Sequence, residues 1–141
     1  MTNLFVYGTL RRSAPMHELL VPGARCLGAA RARGRLYDLG AFPGFVPSRS
    51  ARDVVHGELF EVIAEDAQSH LEAIDRYEGR AFARQEIRVE RVGREDRSLT
   101  AWVYCYTNDV RRARRIESGD YLADRGVAPP LTPAGPAAPR G

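Results

Sequence analysis

A chain of 141 residues is the length of one domain, which buries roughly two thirds of the surface its unfolded chain exposes. No run of about 18 apolar residues is present to span a bilayer, and the opening MTNLFVYG has neither a basic stretch nor a small-residue cleavage site, so a cytoplasmic protein is expected. The 21 basic residues, all arginine, exceed 18 interspersed acids by three, which excludes a long basic stripe for nucleic acid.

Leu4 to Val6 reads as a short buried strand that breaks at Tyr7-Gly8-Thr9-Leu10. Ser13 offers an N-cap, Pro15 is tolerated in a first turn, and Met16, Leu19 and Leu20 share a helical face, which predicts a short helix. From Cys26 to Val62 the pattern turns to β. CLGAARARGRLYDLG alternates weakly, AFPGFVPS reads as a Pro/Gly-punctuated loop that lines a pocket wall or packs in the core, and DVVHGELFEVI is a strong strand. Gly57 inside that strand predicts a bulge or the close approach of another backbone.

Glu65 to Glu78 is the clearest helix, with Leu71 and Ile74 at helical spacing, acids in its first turn and Gly79 at the position of a C-terminal glycine. FARQEIRVERV then alternates with period two, SLTAWVYCYTN is aromatic and β-branched, and RVGREDRS between them predicts a hairpin. The cluster RRARR at Arg111 to Arg115 has no interleaved aromatics for base stacking and reads as a solvated loop or helix end, so nucleic acid is not the expected partner. Five of the nine prolines fall between Pro129 and Pro139, which predicts a domain over 1–126 followed by a disordered tail over 127–141. Many strands with few helices, and no βαβ repeat, predict an α+β fold: a small, mostly antiparallel β-barrel with flanking helices.

Two candidates for chemistry stand out. Asp75 and Glu78 are three apart on one helix face, and Glu78 lies against the negative end of the helix dipole. Both the dipole and any burial raise its pKa toward the range useful for general acid/base work. The structural alternative is a surface ion pair with Arg76, Arg80 or Arg84. In Tyr7-Gly8-Thr9-Leu10, a glycine free to take positive φ would let backbone N–H groups converge on an anion, with Arg11 or Arg12 adding charge; a plain turn is the alternative. His17, His56 and His70 lack metal-ligand spacing, and Cys26 and Cys105 belong to no CxxC or Cys/His cluster, so buried free thiols and no metal are expected.

In order and spacing, VYGTLRR, GRLYDLGAFPGFVPS, VHGELFEV, LEAIDRYEG, AWVYCYTN and ESGDY resemble the γ-glutamylcyclotransferase-like superfamily, its small bacterial and γ-glutamylamine-cyclotransferase (AIG2-like) members above all. The resemblance runs from about Leu4 to Tyr121. It implies a compact barrel with a cavity floored by the YGTL turn, Glu78 as catalytic acid/base, and substrate binding by Tyr7, Gly8, Thr9, Leu10 and Arg11, with Tyr104 of the late aromatic strand lining the site. The implied reaction releases 5-oxoproline and an amine from a small γ-glutamyl substrate without a cofactor. One departure is Phe82, in Phe82-Ala83-Arg84, where many members have a tyrosine. A non-catalytic module on the same barrel, binding a small molecule or nucleic acid, is the alternative function.

Overall fold

The computed structural model describes residues 2–8, 11, 23–63 and 67–126. Thr2–Val6 forms β1, Ala24–Asp38 β2, Pro43–Pro47 β3, Val54–Val62 β4, Ala67–Glu78 helix α1, Phe82–Arg91 β5, Arg94–Tyr106 β6, Arg114–Arg115 β7 and Tyr121–Asp124 helix α2. The helix expected after Ser13 and the tail expected over 127–141 lie outside the described residues.

The strands close on themselves. β1 pairs with β4, β4 with β2, β2 with β5, β5 with β6, and β6 returns to β1 at Leu4↔Trp102. Only that last seam of the ring is parallel, so the barrel is mixed but mainly antiparallel. β2 is long enough to serve several neighbours, holding β4 along Ala24–Arg33, β5 at Ala30–Ala32 and β3 along Gly34–Asp38.

Alternation along each strand sorts side chains between two cores. Phe5 and Tyr7 of the β1 segment point inward with Ala30, Ala32, Leu36, Phe45, Val55, Leu59, Val89, Val103 and Cys105. Leu4 and Val6 point outward, joining Cys26, Phe60, Tyr104 and the α1 residues Leu71 and Ile74. The helix therefore covers the outside of the barrel with the two residues its periodicity singles out. It ends at Gly79, whose φ of 81° and N–H bond to the Asp75 carbonyl (3.0 Å) stop the chain in the left-handed conformation that favours glycine.

Two expectations need correction. AFPGFVPS is not a loop throughout: Pro43–Pro47 is a strand, with its prolines at the two ends, where a missing N–H costs least. The RRARR cluster is not simply solvated, because Arg114 and Arg115 pair with β2 and their guanidinium groups are held by Asp38 and Asp124, and by Asp53. Gly57 behaves as expected: an added Cβ would lie 2.2 Å from the Val6 carbonyl oxygen, so β4 needs glycine where β1 crosses closely. Neither cysteine forms a disulfide, and both are buried. No helix among the described residues is long and apolar enough to cross a membrane.

Candidate active site

β1 runs through the barrel wall and delivers Tyr7 and Gly8 to one end of it, where α1 terminates on the outside. The meeting of these two segments opens a cleft lined by Phe5, Val6, Tyr7, Gly8, Phe42, Pro43, Glu78 and Tyr104. Its floor is buried, while Phe42 at the mouth is 39% exposed.

Gly8 lies against Pro43, and a Cβ there would fall 2.7 Å from the proline Cγ. Close approach is thus the reason for glycine, since Gly8 is not among the glycines with positive φ, contrary to the sequence expectation. Its carbonyl accepts the Arg11 N–H at 3.0 Å, closing a turn. Thr9 and Leu10 lie outside the described residues. Arg11 is not brought to the cleft: its buried guanidinium turns inward to Asp120 (3.0 Å) and Glu58 (3.7 Å) and anchors the turn from behind.

The two tyrosines interlock. The Tyr7 hydroxyl donates to the Tyr104 carbonyl oxygen (2.6 Å), and burial, followed by the Glu78 charge, pushes that phenol far above its ordinary range. The Tyr104 hydroxyl donates to Asp75 Oδ1 (2.6 Å). Burial, followed by that bond, raises the Tyr104 phenol as well. Both phenols therefore stay neutral at ordinary pH.

Asp75 is in turn gripped by Arg84, whose Nε reaches Oδ1 at 2.6 Å and whose second nitrogen reaches Oδ2 at 3.1 Å. The guanidinium also lies 4.9 Å from the Trp102 ring centroid. Arg84 was visible in the sequence only as a possible partner of Glu78; its place on β5 directly opposite Tyr104 decides otherwise. Arg84 thus engages both carboxylate oxygens of Asp75.

Glu78 has the opposite surroundings. Among the described residues no hydrogen bond or ion pair reaches its carboxyl, and burial first, then the negative charge of Asp75, raises its pKa to about 7. The surface pair with Arg76, Arg80 or Arg84 is absent among those residues. A carboxyl near half-protonation at neutral pH, set in an apolar cleft, can both take and return a proton. Cys105, raised to about 11 by burial, has no thiolate to offer at neutral pH. Among the described residues no group of three His, Cys, Asp or Glu side chains converges as a metal site requires.

The closed barrel thus places a largely buried carboxyl, unpaired among the described residues, beside Gly8. The chain belongs to the family described as gamma-glutamyl cyclotransferase, AIG2-like, whose model matches residues 4–123. It is 34% identical over 120 residues to the gamma-glutamylcyclotransferase family protein YtfP of Escherichia coli (strain K12), covering 84% of this chain and 95% of that one. It is 30% identical over 112 residues to the gamma-L-glutamyl-butirosin B gamma-glutamyl cyclotransferase of Niallia circulans, covering 77% and 69%. The fold is similar to the crystal structure of an AIG2-like protein from Mus musculus, with a TM-score of 0.69 at 23% identity over 94% of this chain and 98% of that one.

Proposed function

We propose that the protein releases 5-oxoproline and a free amine from a γ-glutamyl amine or γ-glutamyl peptide, with Glu78 as the general acid/base. The observation that carries this reading is the Glu78 carboxyl, unpaired among the described residues and with its pKa raised to about 7 in a cleft walled by Tyr7, Gly8 and Tyr104. Family membership supports the reaction type.

The α-amine of the γ-glutamyl group attacks its own γ-carbonyl carbon. A C–N bond forms to close the five-membered ring, and the C–N bond to the leaving amine breaks. The Glu78 carboxylate takes a proton from the α-ammonium to free the lone pair that attacks. The two protons the α-nitrogen sheds in becoming the ring N–H pass by way of Glu78 to the departing nitrogen, which leaves as an ammonium, so no water is consumed and the carboxyl ends as it began. Holding the chain curled supplies much of the rate, because ring closure in a fixed geometry has a large effective molarity. The backbone of the Tyr7–Gly8 turn grips the γ-glutamyl end, and Tyr104, its hydroxyl committed as a donor to Asp75, walls the cleft beside Glu78.

Incubation of the protein and of Glu78→Gln with a panel of γ-glutamyl amines, γ-glutamyl amino acids and glutathione, read by mass spectrometry for 5-oxoproline, tests this. Product from the wild type alone supports both the reaction and the role of Glu78. Equal product from both removes Glu78 from the mechanism, and binding without product from either favours a module that only holds its ligand.

A further inference from the structure

The mouth of the cleft has a chemistry of its own. Phe42 stands just ahead of β3, and β3 runs parallel to β6 at Phe45↔Cys105, which carries Phe42 toward the far end of the β5–β6 hairpin. There its ring meets Phe82 edge-on at 5.7 Å, and Phe82 meets its cross-strand partner Tyr106 at 5.4 Å. Three rings thus run in a row away from the cleft.

The floor residues Phe5, Val6, Tyr7, Gly8, Pro43 and Tyr104 are buried, and Phe42 is the most exposed side chain that lines the cleft. A γ-glutamyl group seated on the floor next to Glu78 directs the group attached to its γ-nitrogen out through this mouth. An exposed phenylalanine is among the costlier residues to leave in water, and a ring or alkyl group laid on it removes apolar surface from both. Phe82, which carries no hydroxyl, extends the apolar surface behind Phe42.

We propose that Phe42, backed by Phe82 and Tyr106, selects substrates whose leaving amine bears an aromatic or bulky apolar group. This rests on the cyclotransferase reading above and specifies its substrate class. Phe42 contacts the departing portion alone, so it acts on binding of the amine and leaves ring closure at the γ-carbonyl unchanged.

The test compares γ-glutamyl derivatives of methylamine, phenethylamine and 1,4-diaminobutane, which share the reacting end and differ in the group at the mouth. The expected result is a kcat/KM for the phenethylamine derivative about tenfold above the other two, carried by KM with kcat nearly constant, the scale for burying one ring on another. Phe42→Ser, at an exposed position where folding tolerates change, abolishes the preference, bringing kcat/KM of the phenethylamine derivative down to that of the methylamine derivative. Phe42→Leu, apolar but without a ring, retains part of it.

Equal kcat/KM for all three derivatives in the wild type, or a preference that survives Phe42→Ser, overturns the proposal. Calorimetric binding of the same compounds to Glu78→Gln keeps the two readings separate. If nothing turns over but the phenethylamine derivative binds tightest, the chemistry falls and the mouth specificity stands; if all three bind alike, the mouth specificity falls.

Discussion

Two carboxyl groups of this protein sit among arginines and end at opposite extremes. Asp53, near the start of β4, receives Arg35 (2.9 Å), Arg115 (3.0 Å) and the Ser48 hydroxyl (2.8 Å), and these bonds, Arg35 first, pull its pKa down to about 2. Glu78, at the end of α1, has a neighbouring arginine that is already committed to Asp75, and burial with that negative charge pushes it up to about 7. On the proposed function, the contrast is between a structural carboxylate and a chemical one. The first ties β2, the turn before β4 and β7 together and is saturated. The second is largely buried and unpaired among the described residues, so its ionisation costs stability.

The comparison breaks most visibly at Glu78. Replacing it with Gln is expected to reduce 5-oxoproline release by about 10²- to 10⁴-fold, the range for loss of a well-placed acid/base, with an unchanged circular-dichroism spectrum. An activity loss confined to tenfold or less puts Glu78 on a par with an ordinary wall residue.

Replacing Asp53 has the converse signature. Asp53→Asn lowers the thermal midpoint at pH 7 while leaving the KM of the folded protein unchanged, because no part of the knot touches the cleft. The sign follows from linkage: a lowered folded pKa stabilises above the ordinary value of 3.8 and ceases to do so as the pH falls through about 2. Wild type and variant should therefore converge in thermal scans near pH 2.

Glu78 gives the mirror image in stability. With a folded pKa raised from 4.5 to about 7, ionisation opposes folding, so the wild type loses stability as the pH climbs through that window. Glu78→Gln removes the penalty and is expected to be more stable than the wild type at pH 8 by about 1–3 kcal/mol, with no gain at pH 4. Denaturant titrations at the two pH values measure this directly. A variant less stable at pH 8 contradicts an uncompensated carboxyl at that position.

The smallest effect belongs to Asp75. Asp75→Asn deletes the charge next to Glu78 while preserving shape, so the acid limb of the rate profile moves to lower pH, by less than the whole shift because burial remains the larger cause. An unmoved limb assigns the elevation to burial alone.

Much of this was legible in the residues. The Leu71/Ile74 spacing and Gly79 identify α1 and put Glu78 at its last turn, and the aromatic, β-branched run of β6 and the alternation of β5 announce a hairpin. What escaped was tertiary. Pro43–Pro47 reads as a loop because its strand character comes from β2 and β6 on either side. Gly8 suggests positive φ, whereas the pressure of Pro43 requires glycine there. Arg11 reads as a free cation beside the turn, yet Glu58 and Asp120, 47 and 109 positions along, draw it inward. Asp53 reads in the sequence only as the first residue of a strand, since Arg35 and Arg115 come to it only when the barrel closes. Short-range spacing therefore carries the elements and the placing of the acid, and long-range pairing decides which charges are consumed.

The dependence of kcat/KM on pH, taken with the best substrate of the panel, tests the central claim most directly. A carboxyl that must be ionised to accept the α-ammonium proton predicts a rate that rises with pH through an inflection near 7. A profile already at its plateau from pH 5 upward contradicts a raised, unpaired Glu78 as the group that moves the proton.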